Sequence, residues 1–191
     1  MTVQPARLPG VLRIAPRVFE DDRGHFLERY HAERYADAGI PAAFVQDNHS
    51  RSGRGVVRGL HFQRRHPQGK LVEVVRGHVY DVVVDLRAGS PTFGEWEGFD
   101  LRADPPEQLW VPPGFAHGFA VRSESADVLY KCTDVYRPDD EGGVLWDDPG
   151  LGVDWDVGAP RVSDKDLRLR RLADLDAADL PEVAYTGPDD V

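Results

Sequence analysis

Segment 56–63 carries an arginine and a histidine within an otherwise apolar stretch. It reads Val-Val-Arg-Gly-Leu-His-Phe-Gln, so Arg58 and His61 interrupt a pattern typical of a buried strand, where charges resist burial. Strict alternation would place the two side chains on opposite faces, whereas a bulge at Gly59 would bring both to one face. On the residues alone, His61 is either a catalytic imidazole or a satisfied core histidine beside a surface arginine.

A second histidine lies in segment 110–119, which contains the pattern Pro112-x-Gly114-x-x-His117. This pattern is the second motif of cupin barrels, where the turn delivers a histidine into the mouth of the barrel. Metal-binding cupins supply His-x-His in their first motif, but here the corresponding stretch is His61-Phe62-Gln63. Two histidines without a third nitrogen ligand make a poor transition-metal site, so we predict no metal.

Segment 127–136 adds two tyrosines, Tyr130 and Tyr136, whose spacing of six places them on one face of a regular strand. An aromatic stripe of this kind is either core or a source of hydroxyl groups that donate protons. The chain has three lysines, Lys70, Lys131 and Lys165, and each falls in a segment that stands out on other grounds.

The elements that must position these groups are short strands separated by turns rich in Gly, Pro, Asp and Ser. Ten such segments predict an all-β sandwich or barrel. They cover 11–19, 26–30, 43–50, 56–63, 70–76, 78–87, 95–101, 107–112, 117–122 and 127–136. Helices are predicted over 31–38 and over 164–180, the second after Ser163 as N-cap. We expect one domain over 1–191, with 181–191 a frayed acidic tail.

Composition narrows the class of protein. The 191 residues include 23 Lys and Arg against 33 Asp and Glu, a net charge of −10 that argues against nonspecific binding to nucleic acid or anionic membranes. Any anionic ligand must therefore meet a local basic cluster. The single Cys132 excludes an intrachain disulfide, and no apolar run resembles a signal peptide or a membrane span. These features predict a cytoplasmic protein.

Taken in order, a set of longer motifs resembles one enzyme family over residues 10 to about 170. The motifs are Phe19-x-Asp21-x-Arg23-Gly24-x-Phe26-x-Glu28, Phe44-Val45-Gln46-Asp47-Asn48-His49-Ser50, Arg58-Gly59-Leu60-His61-Phe62-Gln63, Gln68-Gly69-Lys70, Ser90-Pro91-Thr92-Phe93-Gly94, Pro113-Gly114-Phe115-Ala116-His117, Tyr130-Lys131-Cys132-Thr133, Glu141-Gly142 and Ser163-x-Lys165-Asp166. The chain resembles the dTDP-4-dehydrorhamnose 3,5-epimerases. That resemblance implies a cupin-like jelly roll that forms homodimers and needs neither cofactor nor metal.

The resemblance also implies a reaction, the removal and return of protons at C3 and C5 of dTDP-4-keto-6-deoxyglucose. By motif match, His61 would be the base and Asp166 the carboxylate that orients it. Lys70 would stabilise the enolate oxygen, Tyr130 would be the acid on the other side of the ring, and His117 would hydrogen-bond in the sugar pocket.

Substrate-binding residues are carried over in the same way. Arg58, Arg23 and Lys165 would bind the diphosphate, and Tyr136 would stack on thymine. Further contacts fall to Glu28, Gln46, Asp47, Asn48 and Glu141. In this family the N-terminal strand crosses to the partner subunit, so Arg23 and Glu28 would serve the neighbouring site.

Alternatives remain at this stage. The sequence departs from the family pattern at His25, at Asp156 and in the run 167–172, which leaves open an enzyme that inverts only C3 or only C5. A ketoisomerase of the same barrel class is a further option. A nonenzymatic sugar-binding cupin would predict loss of His61 or Asp166, and stoichiometric iron or zinc would indicate a metal-dependent oxygenase.

Overall fold

The computed structural model describes residues 1–40 and 43–187 of the chain. Thirteen strands and one α-helix, α1 (Ala32–Asp37), account for the regular structure of this part. The strands are β1 (Thr2–Pro5), β2 (Leu12–Ala15), β3 (Val18–Asp21), β4 (Gly24–Leu27), β5 (Gln46–Gly53), β6 (Val57–Gln63), β7 (Lys70–Arg76), β8 (His78–Asp85), β9 (Trp96–Arg102), β10 (Gln108–Val111), β11 (Phe115–Val121), β12 (Ser125–Cys132) and β13 (Glu141–Gly143).

Two antiparallel sheets form the body of the fold. The larger has the strand order β1-β2-β10-β7-β12-β5 and the smaller has the order β13-β6-β11-β8-β9, so strands adjacent in sequence often belong to different sheets. This crossing pattern and the packing of the sheets confirm the predicted cupin-like jelly roll. Each predicted strand segment overlaps a strand, while β1 and β13 were not predicted.

Apolar residues fill the space between the sheets and cover their outer faces. Val72, Val74 and Val128 of the larger sheet pack against Val79, Val83 and other residues of the smaller one. Behind the smaller sheet, a second cluster is covered by the C-terminal segment, and helix α1 covers Trp110 behind the larger sheet. One end of the space between the sheets is lined by polar side chains instead.

The predicted helix over 164–180 is wrong. Three separate 3-10 turns, Asp166–Arg168, Leu172–Asp174 and Ala177–Asp179, take its place. Hydrogen bonds to residues distant in sequence compete with those of a helix. The N–H of Leu145 donates to the carbonyl of Arg170, and the N–H of Leu172 donates to the carboxylate of Asp148. The segment lies against the smaller sheet as an irregular cover. The short helix predicted over 31–38 is confirmed by α1.

The expected frayed tail is also partly wrong. The N–H of Glu182 donates to the carbonyl of Arg64, and the N–H of Tyr185 donates to the carbonyl of Ala88, so residues 181–187 are tied to the barrel. Residues 188–191 lie outside the described residues. No helix in the described ranges is long and apolar enough to span a membrane.

Candidate active site

The polar end of the barrel holds two adjoining cavities, of about 510 Å³ and about 240 Å³. His61, Lys70 and Tyr130 line both of them, so they form one groove with these three side chains at its middle. His61 comes from the smaller sheet, and Lys70 and Tyr130 come from the larger one. The two sheets therefore present their candidate catalytic groups across a shared space.

A bulge in β6 brings Arg58 and His61 to this groove. On β11, His117 and Phe119 are two residues apart, but their partners on β6, His61 and Arg58, are three apart, so β6 carries one extra residue. Gly59 is that residue, with φ at +134°, and a Cβ there would lie 2.5 Å from the Cα of Gly118. The predicted bulge at Gly59 is confirmed, and both side chains line the larger cavity.

His61 forms a close pair with Asp166. The Nε2 atom of His61 lies 2.7 Å from Oδ1 of Asp166, whose side chain is buried. Burial alone would raise the pKa of Asp166, but hydrogen bonds from His61 and from the Gly59 N–H outweigh it and hold the pKa below its usual range. An ionised carboxylate only accepts, so Nε2 carries the hydrogen and Nδ1 keeps a basic lone pair. This is the arrangement of an oriented general base.

A second histidine–carboxylate pair lies deeper in the same cavity. Nε2 of His117 is 3.0 and 2.9 Å from the two oxygens of Asp81, and both residues are buried. Asp81 belongs to the carboxylate-bearing face of β8 that points between the sheets. Its pairing fixes the imidazole of His117 at the wall of the cavity, where it can bind a polar ligand.

The environment also shifts the ionisation of Lys70 and Tyr130. Burial lowers the pKa of the Lys70 ammonium, although Cys132, Asp81 and Glu141 act in the opposite direction. Burial raises the pKa of the Tyr130 hydroxyl, which therefore keeps its proton over a wider range of pH. The groove thus holds a buried lysine and a protonated phenol near one imidazole base.

The smaller cavity is lined by a cluster of polar side chains around Glu141. Its Oε2 accepts a hydrogen bond from the Tyr136 hydroxyl at 2.7 Å, and it also pairs with Lys165. Burial opposes ionisation of Glu141, but these two partners prevail and its pKa lies below its usual range. Gln46 holds this loop, since its Oε1 accepts the Tyr136 N–H at 2.8 Å and its Nε2 donates to Asn48. The ring of Tyr136 stays about half exposed, open to a flat partner.

Three predicted site residues lie elsewhere. Asp47 points to the outer face of the larger sheet, where it binds Lys131, because alternation along β5 places it opposite Gln46 and Asn48. Asp47 therefore lines neither cavity of its own chain, and its substrate contact stays a prediction. Arg23 and Glu28 lie on or just after the β3–β4 hairpin, pair with Asp21 and Arg34, and line neither cavity.

Sequence reasoning missed Asp81 and Arg161. Strand alternation places Asp81 on one face of β8 with Val83, but only the fold brings it to His117. Arg161 lines the larger cavity from an irregular segment that gives no pattern in sequence. Among the described residues, no group of three or more His, Cys, Asp or Glu side chains is arranged to hold a metal ion.

The arrangement suits proton transfer at carbon next to a carbonyl group. An oriented imidazole can remove the proton, an ammonium can stabilise the resulting oxyanion, and a phenol can return a proton. Arg58, Arg161 and Lys165 line the larger cavity and supply the positive charge that an anionic substrate needs in this acidic protein.

Comparison with known proteins is consistent with this chemistry. The family model for dTDP-4-dehydrorhamnose 3,5-epimerase matches residues 5–174. The enzyme of that name from Pseudomonas aeruginosa is 53% identical over 171 residues, which cover 88% of this chain and 94% of that one. A dTDP-4-dehydrorhamnose 3-epimerase from Streptomyces niveus is 44% identical, with 96% and 90% covered.

A solved structure is similar over nearly the whole chain. The 3,5-epimerase of Legionella pneumophila, in complex with dTDP-4-keto-L-rhamnose, has a TM-score of 0.93 and 45% identity, with 97% of this chain and 99% of that chain covered.

Proposed function

This chain belongs to the dTDP-4-dehydrorhamnose 3,5-epimerase family of isomerases, and on that basis we propose that it inverts C3 and C5 of dTDP-4-keto-6-deoxy-D-glucose to give dTDP-4-keto-L-rhamnose. The observation that carries the proposal is the pairing of His61 with buried Asp166 opposite Lys70 and Tyr130 in one groove. The residues present suit a reaction without a cofactor, because acid, base and oxyanion stabiliser all come from the chain.

His61 is the base in this proposal. The C4 ketone acidifies the C–H bonds at C3 and C5, and the free imidazole nitrogen takes one of these protons. Asp166 stays ionised and stabilises the imidazolium that forms, as a carboxylate does beside a catalytic histidine. The electron pair of the broken C–H bond moves to O4 and gives an enolate.

Lys70 and Tyr130 complete the reaction. The Lys70 ammonium stabilises the negative charge on O4, and the burial of Lys70 strengthens the effect. Tyr130 donates its proton to the carbon from the face opposite His61, which inverts that centre and restores the ketone. His117, held by Asp81, binds a hydroxyl of the sugar.

The nucleotide occupies the outer part of the groove. Arg58 and Lys165 bind the diphosphate, since guanidinium and ammonium groups form strong hydrogen bonds to phosphate oxygens. The exposed ring of Tyr136 stacks on thymine, and Gln46, Asn48 and Glu141 hold the nucleoside and the loop that carries Tyr136.

The active unit is proposed to be a homodimer in which the N-terminal hairpin completes the partner's site. Phe19 and Phe26 of the β3–β4 hairpin are exposed, and its charged groups are remote from the groove of their own chain. Strand β5 is an edge of the larger sheet, with one row of backbone groups open to a further strand. Arg23 and Glu28 would then contact the nucleotide of the other subunit. The cytoplasmic location stays a prediction.

Incubation with dTDP-4-keto-6-deoxyglucose in D2O tests the proposal. Deuterium at both C3 and C5 with inverted product is the expected result by NMR. Label and inversion at one carbon would assign a monoepimerase, the activity for which the Streptomyces niveus relative is named. Label at neither carbon would contradict an epimerase acting on this substrate.

Two variants sharpen the experiment. His61→Ala should abolish exchange while dTDP still binds, because the base is lost and the nucleotide contacts remain. His49→Ala, which removes an exposed histidine on the outer face of β5, should exchange normally. Near-normal turnover in His61→Ala would exclude His61 as the base.

A further inference from the structure

Arg161 is held at the edge of the larger cavity by its backbone. Its N–H donates to the carbonyl of Gly55 at 2.8 Å, and its own carbonyl accepts the N–H of Val57 at 3.1 Å. These bonds form a parallel bridge to the start of β6, the strand that carries Arg58 and His61. The position of the Arg161 Cα atom is therefore tied to the same strand as the catalytic base.

The Arg161 and Arg58 guanidinium groups approach adjacent residues of β5. Nε of Arg58 donates to Oγ of Ser52 at 3.0 Å. An Nη atom of Arg161 lies 3.9 Å from the position that a Cβ on Gly53 would occupy. Because Ser52 and Gly53 are neighbours in the chain, the two cations lie near the same end of the groove.

Neither guanidinium is neutralised within the described ranges. The ion pairs found there include none to Arg58 or Arg161, whereas Lys165 pairs with Glu141. On the facing sheet, the Ser50 hydroxyl lines the same cavity, and its buried oxygen has no hydrogen-bond partner among the described residues. Two cations without an ion-pair partner and an unpaired hydroxyl, all lining one cavity, suit an anionic, oxygen-rich ligand.

We propose that Arg161 is a substrate-binding residue that pairs with Arg58 to hold the two phosphates of the nucleotide sugar. The inference rests on the proposed function, since it takes the substrate to be a nucleoside diphosphate sugar. A diphosphate carries more negative charge than one arginine neutralises, and Lys165 already shares its charge with Glu141. Arg161 adds a further cation from outside the recognised motifs.

Binding of dTDP, dTMP and thymidine to Arg161→Gln tests the proposal by calorimetry. We expect dTDP affinity to fall about tenfold, in line with the loss of a charged hydrogen bond, while thymidine affinity stays unchanged. The loss of affinity caused by Arg161→Gln should be smaller for dTMP than for dTDP, and it should decrease at high ionic strength. In turnover, KM should rise with kcat unchanged, because Arg161 contacts neither C3, C5 nor O4.

Two further variants keep the result interpretable. Arg161→Lys keeps the charge without the guanidinium fork and should recover part of the lost affinity. Arg102→Gln removes an exposed arginine on β9 that lines neither cavity, and it should bind dTDP as the unaltered protein does.

Unchanged dTDP affinity in Arg161→Gln, or an equal loss for thymidine, would overturn the role of Arg161. Inactivity of the unaltered protein toward the keto sugar would instead contradict the proposed function, so the two failures are distinguishable.

Discussion

Lys70 is a catalytic group whose charge state depends on pH. Burial lowers its pKa, so the ammonium form that stabilises the enolate is lost at a lower pH than for an ordinary lysine. We expect kcat to fall as pH rises through this lowered pKa. Tyr130 keeps its proton to higher pH than an ordinary tyrosine because burial raises its pKa.

Lys70→Met should reduce kcat roughly a hundredfold to a thousandfold, which is the cost of removing one oxyanion donor. The variant should also lose the fall in kcat that accompanies deprotonation of Lys70 at alkaline pH. Lys131→Met is the matched control, since Lys131 lies on the outer face of the same sheet and binds Asp47 there. Its profile of kcat against pH should match that of the unaltered protein. An unchanged alkaline decline in Lys70→Met would assign that titration to another group.

At the residue scale, the order of the motifs identified candidate site residues but not all of the contacts that their side chains make. His61 and Asp166 are 105 positions apart in sequence, and their pairing came from resemblance, since no periodicity joins a strand to a distant turn. The outward position of Asp47 follows from strand alternation, which the motif match overrode. Asp81 could be placed on a face of β8, but its contact with His117 depends on the register between β8 and β11.

At the scale of elements, the bulge in β6 decides whether Arg58 and His61 share a face. Gly59→Ala would place a Cβ 2.5 Å from the Gly118 backbone, at a φ of +134° that favours glycine. We expect the free energy of unfolding to fall by more than about 2 kcal/mol, with loss of turnover because the base is displaced. Urea denaturation with a turnover assay measures both effects.

Gly24→Ala is the control that separates the cost of an unfavourable φ from the cost of a steric clash. Gly24 has a similar φ of +129°, but, its chain neighbours aside, none of the described residues has an atom within 4 Å of the position of its Cβ. Its substitution should cost about 1 kcal/mol, the strain of the backbone alone. Equal losses for both variants would mean that the approach of Gly59 to Gly118 does not determine the position of β6.

Ten strand segments were predictable from the sequence because each combines branched or aromatic residues with turn signals. Each of them overlaps a strand of the structure, whereas β1 and β13 were not predicted. The backbone path of the segment after Ser163 was not predictable. Its leucines match the period of a helix, but contacts with distant residues determine its backbone conformation. Leu172, Leu175 and Leu180 pack behind the smaller sheet from separate turns. This irregular path is also what carries Asp166 to His61.

At the scale of the whole molecule, the proposed dimer places functional groups of one chain in the site of another. Arg23 is almost fully exposed on the β3–β4 hairpin and binds Asp21 of its own chain, remote from the groove. If it serves the partner, each active site needs His61 from one subunit and Arg23 from the other. Subunit exchange between defective variants distinguishes this arrangement from a self-contained site.

An equal mixture of the Arg23→Gln and His61→Ala variants, assayed at low substrate after subunit exchange, should regain about a quarter of full activity. Random pairing makes half of the dimers mixed, and each mixed dimer has one intact site out of two. The matched control mixes unaltered protein with a variant that carries both Arg23→Gln and His61→Ala. About a quarter of full activity is again expected, since only dimers of two unaltered subunits then keep intact sites. No recovery in the first mixture and about half activity in the second would show that Arg23 acts within its own chain. That outcome would contradict hairpin exchange, because a self-contained site loses nothing when its neighbour carries the altered arginine.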